Sequence, residues 1–93
     1  MRVLLKNSNG SLCIREVVSA YTHEGEYGLE SDLWYKCRLR FLCKNENVIE
    51  LNTYFQPERA NRYIEDLLKN DYLDMSAFSY RYINKELGIR VIK

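Results

Sequence analysis

The sequence predicts an α+β fold: an antiparallel β-sheet of five to six strands in the order ββββαβ(β), with one amphipathic helix packed on one face. Three observations carry this prediction. Residues Leu33 to Cys43 give the cleanest two-residue period in the chain, with Lys36, Arg38 and Arg40 set between apolar residues, as in a half-buried strand. The only proline, Pro57, heads a run with helical apolar spacing, and proline is well placed at a first helical position, where its missing N–H would have had no partner. The remaining apolar runs are short and separated by polar turn residues, as strands are.

In chain order, Val3 to Lys6 is followed by Asn7-Ser8-Asn9-Gly10, and Asn-Gly between apolar runs signals a hairpin. Ser11 to Tyr21 forms the second strand. Its alternation breaks around Glu16 to Val18, which a β-bulge explains. Thr22 to Asp32 carries Glu24, Glu26, Glu30 and Asp32 without Lys or Arg, and reads as an acidic connection with a short strand at Tyr27 to Leu29. In the next strand Leu33, Tyr35, Cys37, Leu39, Phe41 and Cys43 share one face, with Trp34, Lys36, Arg38 and Arg40 on the other. A polar turn, Lys44 to Asn47, leads into Val48 to Tyr54. From Pro57 onward, Ala60, Tyr63, Ile64, Leu67 and Leu68 fall on one helical stripe, and Asn70 is expected as a left-handed stop. Ala77 to Asn84 again alternates, and Ile89 to Ile92 supplies a last short strand.

A chain of 93 residues suits one domain, residues 1–93. Apolar residues make up 46% and charged residues 29%, a balance that builds a core and argues against disorder. The formal charge of +1 lacks the basic excess of a domain whose affinity rests on neutralising phosphates. Met1 to Lys6 is too short in apolar residues for a signal peptide, and no run approaches the ~20 residues of a transmembrane span. The three cysteines are odd in number, and Cys37 and Cys43 on one strand would sit about 20 Å apart, beyond disulfide reach. Free thiols and a cytoplasmic location are therefore expected.

No catalytic residue, metal set or cofactor site is expected. His23 is the only histidine, with no nucleophile signature elsewhere in the chain to partner it. Cys13, Cys37 and Cys43 lack zinc-site spacing, the acidic loop lacks the calcium-loop pattern, and no phosphate-binding glycine motif is present.

Function is sought instead on the sheet face that one helix leaves uncovered. Trp34, Lys36, Arg38 and Arg40 place an aromatic and three cations on successive outward positions of one strand. Trp and Arg are residues in which protein interfaces concentrate energy, and an aromatic flanked by cations also suits single-stranded nucleic acid. The simpler reading is a solvated outer face, from which Trp34, Arg38 and Arg40 can be removed without disturbing the core. The long loop bearing His23, Glu24, Glu26, Tyr27 and Glu30 is a second candidate binding element.

The run Val48 to Ala60, VIELNTYFQPERA, resembles the strand-into-helix join of many small bacterial and phage proteins. That resemblance implies an architecture and an accessory role without naming a function. The expected function is a non-enzymatic module that binds protein, itself included as a homodimer, with nucleic acid as the alternative partner, no membrane, and an enzyme using His23 as the remote case.

Overall fold

The computed structural model describes residues 1–24 and 36–83. Through them run β1 (Arg2–Lys6), β2 (Leu12–His23), β3 (Cys37–Cys43), β4 (Val48–Phe55), α1 (Pro57–Asn70), β5 (Tyr72–Asp74) and β6 (Tyr80–Ile83). The strands make one six-stranded sheet in the spatial order β5-β1-β2-β3-β4-β6, curved into a half-barrel with α1 on its inner side. The α+β class is as expected.

Two features of the expected sheet are corrected. The sheet is mixed, because β5 pairs parallel to β1, Arg2 opposite Tyr72 and Leu4 opposite Asp74. The order of elements also differs, since the first strand after the helix is Tyr72–Asp74, a segment whose three residues are too few to show a period. Its position follows from the helix end. Asp71, rather than Asn70, takes the left-handed conformation at φ 59°, and its N–H donates to the Leu67 carbonyl at 2.8 Å while its own carbonyl accepts from Arg2 N–H at 3.1 Å. The turn that stops the helix thus delivers the chain alongside β1. The strands expected at Tyr27 to Leu29 and Ile89 to Ile92 lie outside the described residues.

The two hairpins close with the same geometry. In the first, Asn7 N–H donates to Ser11 O at 2.8 Å and Gly10 N–H to Asn7 O at 2.9 Å; in the second, Cys43 N–H donates to Asn47 O at 2.8 Å and Glu46 N–H to Cys43 O at 3.0 Å. Each three-residue loop ends in a positive-φ residue, Gly10 at 87° and Glu46 at 75°, the arrangement of a turn followed by a left-handed residue. Glycine adopts that conformation freely, whereas a residue with Cβ is strained by roughly 1–2 kcal/mol. Glu46→Gly is therefore expected to stabilise the protein by about 0.5–1 kcal/mol, the remainder being offset by the unfolded-state entropy of glycine. A higher urea midpoint at unchanged slope is the expected observation, and a lower midpoint would refute the turn assignment.

Strand β2 bends where its register with β3 slips between Val17 and Ser19, the bulge that the broken alternation predicts. Val18 is the extra residue. A second slip, between Arg38 and Arg40, sets one residue of β3, Leu39, against three of β4, Leu51 to Thr53, with Asn52 and Thr53 exposed.

The alternation of β3 holds from Cys37 to Cys43. Cys37, Leu39, Phe41 and Cys43 join Val3, Leu5, Val17, Ile49, Leu51 and Phe55 beneath Ala60 and Leu67 of the helix. Tyr63 and Ile64 are half-buried, but Leu68 is 66% exposed, so the buried stripe is narrower than its spacing implies. All three cysteines are free. Cys13 is only partly buried, its thiol donating to Asn7 Oδ1 at 3.3 Å. At the helix start, Phe55, Tyr63 and Phe78 meet edge to face with ring centroids 5.2–6.2 Å apart.

The two edges of the sheet face each other across a narrow seam. Met75 N–H donates to Leu4 O of β1 at 2.9 Å, and Ser79 O accepts from Asn52 N–H of β4 at 3.0 Å, so the few residues between reach from one edge to the other, at most about 14 Å. Side chains stitch the seam: Tyr80 OH donates to Asn7 Oδ1 at 2.8 Å and Arg15 Nε–H to Tyr82 OH at 2.9 Å. Burial first, then the contact with the Cys13 thiol, pushes the Tyr80 phenol up to about 12. A cleft of about 450 Å³ opens beside this seam, lined in part by Lys6, Ser8, Ser76 and Phe78.

Candidate functional site on the uncovered sheet face

Residues that alternate with the core positions form the outer face. Their cross-strand partners fall into rows. Tyr21 of β2 lies opposite Arg40 of β3, Arg40 opposite Glu50 of β4, and Glu50 opposite Arg81 of β6. Next to this row, His23 lies opposite Arg38 and Arg38 opposite Tyr54. The neighbouring row on the other side is Ser19, Leu42, Val48 and Ile83; Val48 is buried but belongs to this face.

Glu50 is the centre of the arrangement and is fully buried. Its Oε1 accepts from Arg38 Nη1 at 2.8 Å and from Arg81 Nε and Nη2 at 3.0 and 2.6 Å, while Oε2 accepts from Arg40 Nε at 2.7 Å. The Arg38 guanidinium also lies 4.5 Å from the centre of the Tyr54 ring, within cation–π range. Burial alone would push the Glu50 carboxyl up, but the hydrogen bonds from Arg40, Arg81 and Arg38 together outweigh it and hold the pKa below the ordinary glutamate value.

Among the candidate residues, then, Arg38 and Arg40 do share the outer face, yet they are not a loose solvated surface. Arg40 is 9% exposed and pinned to a buried carboxylate. The expectation that these arginines can be removed without touching the fold is therefore corrected. Their truncation strips the partners from Glu50, and breaking a buried pair on one side is costly. Lys36 is half-buried just before β3. His23 is half-buried at the end of β2 and Glu24, beyond it, is exposed. Burial first, and then the nearby charge of Arg40, lowers the His23 imidazole pKa, so the ring stands neutral at physiological pH. Trp34, Glu26, Tyr27 and Glu30 lie outside the described residues.

Glu50 and Arg81 escape a reading of the sequence alone. The signal for Glu50 is present: it is the only charged residue in VIELNTYF and alternates with Ile49 and Leu51, so a lone carboxylate in an apolar strand calls for cationic partners. Which cations answer is set by strand pairing across the second bulge.

A different surface occupies the same face over β1 and β2. Leu12 and Ile14 are 60% and 53% exposed, and Leu4 beside them is half-buried. They lie in three cross-strand pairs, Arg2 with Glu16, Leu4 with Ile14, and Lys6 with Leu12. Val18 at the bulge is also exposed.

Among the described residues, no three His, Cys, Asp or Glu side chains converge as a metal set would, and no helix is long and apolar enough to cross a membrane. Comparison with protein-family models, with curated proteins and with solved structures returns no match.

Proposed function

We propose that the protein is a non-enzymatic interaction module that binds protein through the sheet face its helix leaves uncovered, with a second copy of itself as the partner that face fits best. The observation that supports this reading is the exposure of Leu12 and Ile14 next to Leu4, flanked by Arg2 and Glu16 at one end and by Lys6 at the other. Contiguous exposed aliphatics rimmed by charge are typical of association surfaces. The order of the pairs is self-complementary. A twofold axis parallel to the strands and between β1 and β2 sets Leu4 against Ile14 of the partner subunit, Arg2 against Glu16 of the partner subunit and the Lys6 stem against Leu12 of the partner subunit, the isologous pattern of a homodimer.

Removing the remaining exposure of Leu12 and Ile14 in both copies gains about 3–6 kcal/mol, against an association cost that begins near 4 kcal/mol. A weak, concentration-dependent dimer is therefore expected. Ile14→Asp places a carboxylate at the centre of the apolar contact and is expected to leave a folded monomer of 11.1 kDa, because the side chain is outside the core. Sedimentation velocity over a concentration series checks this. A wild-type protein that stays monomeric up to high micromolar concentration, or an Ile14→Asp variant that still dimerises, would overturn the reading.

A further inference from the structure

We infer that Arg38, Arg40 and Arg81 form a binding site for a phosphate monoester group, with Glu50 as the internal anion that holds the three guanidiniums in place. The charge balance is the first argument. Among the described residues, three cations share one carboxylate, a local charge of +2 in a chain whose whole formal charge is +1. A phosphate monoester carries about −1.5 to −2 near neutral pH, which matches the excess. A single carboxylate or a nucleic-acid diester would cancel only part of it.

Donor capacity points the same way. Each guanidinium has five N–H groups, and Glu50 takes four bonds from all three side chains together. Among the described residues Glu50 is the only anion they pair with, and Arg38 Nε is buried with no hydrogen-bond partner. The cluster is reachable. The Arg81 side chain is 55% exposed and that of Arg38 23%, so an incoming anion meets Arg81 first and Arg38 behind it.

Preorganisation completes the case. Glu50 is fixed by burial in β4, and the arginines are fixed by Glu50 and, for Arg38, by the Tyr54 ring, so their rotamer entropy is already lost in the free protein. The planar forks then meet phosphate oxygens with little further ordering. His23, whose pKa Arg40 and Arg38 help to lower, faces the same cluster. An anion bound there offsets those positive charges and raises the imidazole pKa.

The test titrates the full chain with inorganic phosphate at constant ionic strength, following the His23 ring and the arginine side-chain N–H signals by NMR. Saturable shifts at millimolar phosphate or below, with a rise in the His23 pKa absent from a chloride control, are expected. Arg81→Ala, the most exposed of the three, is expected to weaken binding about tenfold or more while retaining a cooperative melt. Should Arg81→Ala fail to fold, Arg81→Lys keeps the charge but loses the fork and is expected to weaken binding in the same direction. O-phosphoserine against ribose 5-phosphate then separates a modified protein from a sugar phosphate as the source. Absence of saturable shifts in the folded wild type, phosphate binding undiminished by the Arg81 substitutions, or preference for an oligonucleotide without terminal phosphates over every monoester would each overturn the inference.

Discussion

Glu50→Ala is expected to destabilise the protein by about 3–5 kcal/mol, because it leaves three guanidiniums without the carboxylate around which they fold. For a chain of this size total stability is about 5–14 kcal/mol, so the variant stands close to unfolding. Arg40→Ala is expected to cost a similar amount from the other side, since it leaves the fully buried carboxylate of Glu50 short of the partner of its Oε2. Replacing the pair with apolar residues of similar volume can restore stability where single removal cannot. Urea unfolding of Glu50→Ala, Arg40→Ala and an apolar double variant measures all three. Near-wild-type midpoints for both single variants would show that the network is peripheral.

The same carboxylate writes a signature in pH. Its pKa in the folded protein lies below the ordinary glutamate value, so its contribution to stability is fully present above that ordinary value, ~4.3, and is lost as pH falls through the depressed folded value. Stability is therefore expected to decline on acidification below about pH 4.5, and to decline less steeply in Glu50→Gln. Asp74, whose carboxyl the Ser76 hydroxyl and N–H hold below its usual range, adds to the acid limb in both proteins and cancels in the comparison. Parallel acid limbs for wild type and Glu50→Gln would assign the acid sensitivity elsewhere.

Leu67→Ala is the second large effect. Leu67 is fully buried where α1 meets the inner face of the sheet, and loss of a buried leucine to alanine costs roughly 2–5 kcal/mol as transfer and cavity terms combine. Leu68→Ala, one residue on and 66% exposed, serves as the control and is expected to change stability little. A melting temperature unaffected by Leu67→Ala, or equally lowered by both, would contradict the packing of the helix on the sheet.

The difference between these two leucines shows where legibility in the sequence stops. Periodicity reveals that a helix from Pro57 has an apolar side, and it reveals which residues of Cys37 to Cys43 face the core, because both depend on neighbours within a few positions. The bulge near Val18 is legible for the same reason, as a break in local phase. How wide the buried stripe is depends on the curvature of the sheet beneath it, which no local pattern records. The parallel strand Tyr72–Asp74 stayed hidden because its three residues owe their conformation to β1 and to the left-handed turn at Asp71. The arginine face was visible in outline, since Arg38 and Arg40 alternate with core residues. Its chemistry was not, because Glu50 and Arg81 reach it through pairing between strands, and a carboxylate that meets three arginines changes their role from solvation to structure.

The parallel pairing of β5 with β1 bears on how the chain folds and on when it is vulnerable. Arg2 pairs with Tyr72 and Val3 with Leu73, so the first strand gains one of its two neighbours only after most of the chain has been made. Contacts of such sequence separation slow the search for the native state, and domains rich in them fold in milliseconds to seconds. During synthesis the β1–β4 meander emerges first, with β1 and β4 as open edges and the concave apolar face uncovered. Helix α1 then shields that face, and β5 and β6 cover the two edges in turn. The nascent chain is therefore most prone to edge-to-edge association before its last described strand is available, and the seam joined by Tyr80 and Tyr82 marks the end of that window.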